Sequence, residues 1–402
     1  MPTPADRLFV KEHLQDDLSE LALTLHGRPA LDASWILRQT AGYQAARRKL
    51  PEWYGCDDIL FPPSLSMEQC SSEQTARYKA EVVGETLPAA SRRCGADLTG
   101  GFGVDAWALS PLFDAYRYVE RNEDLSRVAA HNFQVLGRGG LSVACADAVD
   151  TLRTMDKVDF LFLDPARRDS RGGKVFTLSA CEPDVTALWP LLREKCRFLL
   201  LKLSPMLDLS AALNEVPEVC RVDVVAVDND CKELLLSADF TGSASDGRLT
   251  VHTVNFTAQG RQDFSFVREA EKQAVSLLAQ TPSAYLYEPN AAVMKAGAFK
   301  SVGRAFGLMK MHEHTHLYTS DVLAEAFPGR VLQVQQWLKP SSREARAVLT
   351  ALGRANVCTR NYPETVDTLR RRFRLKEGGD RYLYGLTAAS GERWLALCRR
   401  VV

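Results

Sequence analysis

Acidic residues close a succession of apolar runs at regular intervals along this chain. The first run ends in Asp97-Leu-Thr-Gly-Gly-Phe-Gly-Val-Asp105, the second in Glu120, the third in Asp147 and the fourth in Asp164-Pro-Ala-Arg167. A carboxylate can accept hydrogen bonds from a diol or an amine, and it pairs with cations. Gly100, Gly101 and Gly103 allow positive φ and let the backbone approach a ligand closely. Placed at successive strand ends, these groups would line one edge of a parallel sheet, where open α/β sheets bind nucleotides. The pattern therefore predicts a nucleotide-like cofactor. Gly101-x-Gly103-x-x-Ala106 also fits the dinucleotide fingerprint, so a nicotinamide-dependent oxidoreductase stands as an alternative. Against it, Asp97 would sit badly beside a pyrophosphate and well beside a cationic amine.

The elements that must position these residues can be read from periodicity. Strands are predicted at 94–98, 115–120, 141–146, 158–163 and 197–203, most too continuously apolar to have an exposed face. Helices fit between them at 104–113, 123–136, 148–154 and 182–195. Such alternation predicts an α/β fold with a parallel sheet covered on both sides. Two further strand-like runs, 219–228 and 231–240, are separated by only Asn229-Asp230. So short a link makes an antiparallel hairpin, because a parallel crossover needs a dozen residues or more. Residues 1–80 read as mostly helical, with apolar residues at helical spacing over 31–50 and capping-box spacing at Ser71-x-x-Gln74. Beyond the hairpin, 248–258 alternates like a strand, 263–279 reads as helix, and 291–298 as another helix. The end of the chain predicts a hairpin over 373–384 with Gly378-Gly379 near its turn. The expected domains are a helical region over 1–80, the sheet domain over 81–245, a linking segment over 246–335 and a small α+β module over 336–402.

Composition narrows the class. With 402 residues, 46% hydrophobic and 25% charged, the chain has the make-up of a globular protein of two or three domains. No apolar run approaches the length needed to span a bilayer, and the first residues have no apolar signal region. The ten cysteines form no C-x-x-C pair and mostly lie in apolar runs, which predicts reduced thiols and a cytoplasmic location. The net charge of zero hides an asymmetry: residues 330–402 hold 15 Lys/Arg against 6 Asp/Glu, whereas residues 1–90 hold 9 against 13. A basic end segment on a neutral chain points to a polyanionic partner such as RNA, with a solvated helix face as the plainer reading.

Taken in order, Asp97-x-x-Gly-Gly-x-Gly103, Glu120, Asp147 and Asp-Pro-Ala-Arg167 resemble the successive motifs of class I S-adenosylmethionine-dependent methyltransferases. The resemblance covers about residues 70–240. It implies a Rossmann-like, seven-stranded sheet whose last strand is antiparallel, in keeping with the hairpin. It further implies that Asp97, Thr99 and the glycine loop hold the methionine part and ribose of S-adenosyl-L-methionine. Glu120 would accept both ribose hydroxyls and Asp147 the adenine amine. The helix opening near Ser72 to Thr75 would cover the cofactor carboxylate, as a helix N-terminus favours an anion. Asp164 would contact the acceptor, with Arg167 stacking on a base or pairing with a phosphate. Many amino-methylating relatives carry an aromatic residue at this loop, where this chain has Ala166 and Arg167. Asp-Pro-Pro-Arg occurs in certain RNA-uracil methyltransferases, whose cysteine nucleophile has no convincing counterpart here; Cys181 is the nearest. Arg167, Arg168 and Arg171 could equally form a salt-bridged loop.

Two further features complete the reading. Tyr287-Glu-Pro-Asn-Ala-Ala-Val-Met-Lys-Ala-Gly-Ala298 and Thr359-Arg-Asn-Tyr-Pro363 resemble bacterial methyltransferase-like proteins with a ferredoxin-like segment followed by a THUMP-like domain. THUMP domains are RNA-binding modules, so the resemblance implies an RNA partner, met by Arg370-Arg-Arg372, Arg374 and Lys376. A non-catalytic RNA-binding protein with a methyltransferase fold is the alternative. Lys202, closing the fifth strand, could face the pocket or simply reach solvent. His312, His314 and His316 would share one face of a strand, but no fourth ligand has matching spacing and no metal site is predicted.

Overall fold

The computed structural model describes residues 3–167, 177–242 and 248–401. The chain divides into two compact units, one of Met1–Val219 with Leu236–Ala244, the other of Cys220–Leu235 with Ser245–Val402.

The first unit opens with α1 (Pro4–Glu12), α2 (Leu18–His26) and α3 (Ala33–Lys49), each begun by a side-chain cap, from Thr3, Asp17 and Asp32. Phe9, Val10, Leu21, Leu25 and Ile36 form their shared core. After two short helices, Pro51–Tyr54 and Ser64–Gln69, comes α4 (Glu73–Thr86), whose hydroxyl cap is Ser72, one residue beyond the predicted Ser71. Five strands follow: β1 (Cys94–Asp97), β2 (Ala115–Glu120), β3 (Ser142–Cys145), β4 (Val158–Leu163) and β5 (Cys196–Leu203). They pair in parallel, β3 on β2, β2 on β1, β1 on β4 and β4 on β5. Phe160 to Leu163 and Leu199 to Leu201 are all buried, because helices cover both faces of the sheet. Those between the strands are α5 (Val104–Leu109), α6 (Glu123–Val135), α7 (Ala148–Thr154) and α8 (Val185–Lys195).

The predicted hairpin is β6 (Val219–Val227) and β7 (Asp230–Asp239). Its turn residues Asp228 and Asn229 have φ of 50° and 63°, the left-handed pair that a two-residue turn needs to match strand twist. β7 starts in the second unit and ends in the first, where the next residue's amide, Phe240 N–H, donates to Arg197 O at 2.8 Å. The resulting strand order is β3-β2-β1-β4-β5-β7-β6. Two strands extend the predicted seven: β8 (Thr250–Thr257), parallel to β6, and β9 (Gly260–Val267), antiparallel to β8. The helix predicted over 263–279 is thus replaced by β9 and a short helix, Arg268–Gln273. Gln262, Phe264 and Phe266 alternate with exposed neighbours, and the two rings pack on the cluster of Tyr287, Val302 and Phe327. Pairing with β8 overrides the helical spacing downstream.

The rest of the second unit is built on a seven-stranded sheet of β10 (Tyr285–Pro289), β11 (Met309–His312), β12 (Thr315–Ser320), β13 (Gly329–Leu338), β14 (Asn356–Arg360), β15 (Arg381–Thr387) and β16 (Arg393–Arg400), with helices Ala291–Ala296, Ser301–Ala305 and Arg343–Leu352 between its strands. Its order is β11-β12-β10-β13-β16-β15-β14. The sheet curls on itself, so Arg360 of β14 reaches Glu288 of β10 across three intervening strands. Leu286, Leu317, Leu332, Tyr384 and Ala396 fill the interior. The closing hairpin is β15 with β16, turning over 388–392, rather than the predicted 373–384. Residues up to Phe373 instead finish the helix α9 (Val366–Phe373), which buries Leu369 and Phe373 at helical spacing. Gly378 and Gly379 lie in the link from that helix to β15.

Candidate functional site

The site is built where β1, β2, β4 and β5 end. After Asp97 the chain turns through a loop in which Gly101 and Gly103 have φ of 54° and 91°. A Cβ on Gly100 would lie 2.1 Å from the Tyr118 ring, so the close approach admits only glycine. The Tyr118 hydroxyl donates to Gly101 O at 2.5 Å and holds the loop from below. Gly101 N–H donates to Glu120 Oε2 and Asn122 N–H to Glu120 Oε1, both at 2.8 Å. Each Glu120 oxygen keeps a lone pair for a second donor. Thr99 N–H donates to Asp97 Oδ1 at 2.9 Å, and the Thr99 hydroxyl oxygen accepts from Asp164 N–H at 2.7 Å. Three strand ends are thereby tied to one loop.

Asp97 is only 1% exposed, and among the described residues its Oδ2 has no hydrogen-bond partner. Burial pushes its carboxyl well above the usual carboxylate range, and the charges of Asp105, Asp164 and Glu120 add to the rise. A buried acceptor without a donor is costly, and a carboxylate more so. A cationic N–H donor arriving there would remove both penalties.

A second set of residues sits beside this one, and the sequence reading assigned most of it no role. Lys79, on α4, is fully buried; its ammonium lies 3.0 Å from Asp105 Oδ1 and donates to Ser71 Oγ at 3.0 Å. Ser71 donates in turn to Asp105 Oδ2 at 2.7 Å. Lys202, at the end of β5, lies 3.8 Å from Asp105 Oδ2 and 2.5 Å from Asp164 Oδ2. Burial works against the Asp105 charge, but the ammonium groups of Lys79 and Lys202 outweigh it and hold the carboxyl below its usual range. The signal for Lys79 was present: it shares a helical stripe with Ala76, Val82 and Val83, where a lysine has no place unless paired.

Of the predicted site residues, Asp97, Thr99, Gly100, Gly101, Gly103, Glu120 and Asp164 come together here. Asp147 is exposed and caps α7, its Oδ1 accepting from Val149 N–H and Asp150 N–H at 2.8 and 3.1 Å. Thr75 is buried in the first turn of α4, its N–H on Ser72 Oγ at 3.2 Å. The side chain of Arg167, and all of Arg168 and Arg171, lie outside the described residues. His312 ends β11 and His316 lies on β12 with His314 in the turn between them, so the three do not share one strand face. Among the described residues no group of three or more His, Cys, Asp or Glu could hold a metal ion.

Around the loop, Asp97, Asp105, Glu120 and Asp164 outnumber Lys79 and Lys202. That balance suits a ligand with cationic groups and hydroxyls and opposes a pyrophosphate. S-adenosylmethionine offers a sulfonium, an ammonium and a ribose diol, so this set of acceptors fits it, Asp97 Oδ2 above all.

Comparisons with known proteins agree. A ferredoxin-like domain family matches residues 285–328, and a THUMP domain-like family matches residues 329–400. A crystal structure from Porphyromonas gingivalis W83, provisionally assigned as a methyltransferase, is similar with a TM-score of 0.86 and 30% identity, over 99% of this chain and 98% of that one. An uncharacterized S-adenosylmethionine-dependent methyltransferase of Mycobacterium tuberculosis, found in strains CDC 1551 and H37Rv, is 27% identical over 86% of this chain and 90% of its own length.

Proposed function

The chain belongs to the family of S-adenosylmethionine-dependent methyltransferases that includes the Porphyromonas gingivalis protein, and from that premise we propose that it methylates structured RNA, with tRNA or rRNA as substrate. The observation that carries the site assignment is the partnerless, buried Asp97 Oδ2 beside a glycine loop already bonded to Glu120. In this reading Asp97 accepts from the cofactor's ammonium group, while Thr99, Gly100, Gly101 and Gly103 form the cradle. Glu120 accepts from the ribose hydroxyls. Asp147 keeps Oδ2 for the adenine amine, its Oδ1 being used as a helix cap. Thr75 and its turn of α4 face the cofactor carboxylate. When bound, S-adenosylmethionine supplies an electrophilic methyl group. The chain's own part is to position the acceptor and withdraw its proton, with Asp164 contacting the acceptor and Arg167 taken as the residue that stacks on a base or pairs with a phosphate.

RNA as substrate is supported by the THUMP domain-like match and by the surplus of cations over 330–402. All ten cysteines are unbonded, and no helix among the described residues is long and apolar enough to cross a membrane. Both support a cytoplasmic enzyme. The test is incubation of the full chain with methyl-labelled cofactor and total cellular RNA. Label in RNA is the expected result; label confined to protein or small molecules refutes the RNA reading.

A further inference from the structure

The sequence Lys79–Asp105–Lys202–Asp164 forms a chain of alternating charge from the buried face of α4 to the mouth of the site. Its inner end is closed: Lys79 is inaccessible to solvent, and Asp105 and Ser71 meet its ammonium. Its outer end is open, for the Asp164 side chain is 36% exposed while Lys202 beneath it is 11% exposed. Lys202 meets one Asp164 oxygen, Oδ2, and no donor among the described residues meets Oδ1.

The two common acceptor classes in RNA make opposite demands on such a group. A base amine gains positive charge as its bond to carbon forms, and the base must first be turned out of its stack and held, usually against an aromatic ring. A fixed ammonium group beside it is unhelpful. Among the described residues of this loop, the buried Pro165 is followed by Ala166, which is exposed and carries no ring. A hydroxyl instead is a poor nucleophile until its proton is withdrawn, and its oxygen gains negative charge on the way. It needs a base in contact and a cation close behind. Asp164 backed by Lys202 supplies both.

We propose that the acceptor is a hydroxyl, the ribose 2′-hydroxyl of an RNA, with Asp164 taking its proton and Lys202 acting as the positioning residue for Asp164. This rests on the RNA reading given above. The O–H bond breaks with its proton passing to the Asp164 carboxylate, and the oxygen lone pair forms the O–CH3 bond. The S–CH3 bond breaks with its electron pair kept by sulfur, leaving S-adenosylhomocysteine, and the Asp164 proton then passes to water. Lys79 and Asp105 hold Lys202 in place from behind.

The test is alkaline hydrolysis of RNA labelled by the full chain. Methylation of a 2′-oxygen removes the nucleophile that cleaves the adjacent phosphodiester, so the label is expected in alkali-resistant dinucleotides. Label in mononucleotides, as a methylated base, overturns the hydroxyl assignment and leaves the RNA reading standing. No label in any RNA overturns both. A second measurement isolates Lys202. Lys202→Met is expected to bind S-adenosylhomocysteine as the parent does while transfer falls about 100-fold. Lys202→Arg should recover part of the rate with a displaced pH–rate limb. If Lys202→Met loses ligand affinity in proportion to its rate, and Lys202→Arg does not rescue, Lys202 is only a support of the fold and the assignment fails.

Discussion

Folding leaves Asp97 Oδ2 without a hydrogen-bond partner among the described residues. With its native carboxyl raised far above the unfolded value, the ligand-free protein is most stable where Asp97 is protonated. That contribution is full below the ordinary carboxylate range and is lost as pH rises through the raised native value. Asp97→Asn, which imitates the neutral acid, should therefore raise the thermal midpoint of the ligand-free protein at neutral pH and flatten its pH dependence. A lower midpoint at neutral pH would mean that the native carboxylate has a partner after all. Glu120→Ala should weaken S-adenosylhomocysteine binding by about 1–3 kcal/mol, through loss of charge-assisted bonds; unchanged affinity in a folded variant would remove Glu120 from the site. Both residues were legible in the sequence because each closes an apolar run next to a glycine or a polar turn. Lys79 and Asp105 were not read as a pair, since they meet only once α4 packs on α5. Their individual types gave no hint of that contact, although the lysine within an apolar stripe was a signal that went unused.

At the scale of elements, the loop after β1 and the helix α4 hold the site rigid. Gly100→Ala would force a methyl group into the Tyr118 ring, and overpacking of this kind costs about 1–3 kcal/mol. Urea denaturation should show that loss together with weaker cofactor binding. Lys79→Met keeps the packing volume but leaves Asp105 buried with one ammonium group removed, a change expected to cost about 3–5 kcal/mol. A variant as stable as the parent would show that the Lys79–Asp105 pair contributes nothing. The five parallel strands and the β6–β7 hairpin were readable from continuous apolar runs and a two-residue link. β9 was missed because its alternation covers few residues and is followed by helical spacing, and only pairing with β8 decides between them. The closing hairpin was displaced for a similar reason: Gly378-Gly379 is a strong turn signal, yet the amphipathic helix α9 takes the residues before it.

Across the whole molecule, charge is divided between a first unit rich in acids around its site and a basic chain end. On α9, Arg370 pairs with Glu377 and Arg372 with Glu364, while Arg371 is exposed. Replacing Arg370, Arg371 and Arg372 together by alanine should weaken RNA binding and reduce the slope of affinity against salt. An unaltered slope would place the RNA surface elsewhere. That the end segment is basic was plain from the sequence; which of its arginines are spent on internal pairs depends on the fold. The central claim is that the strand ends around Asp97 hold the cofactor, and one measurement tests it most directly: calorimetric titration of the full chain and of Asp97→Asn with S-adenosylhomocysteine, with NAD as comparison. The account predicts micromolar binding of S-adenosylhomocysteine to the parent, none of NAD, and loss of the former in Asp97→Asn. Equal binding by a folded Asp97→Asn, or binding of NAD alone, would contradict it.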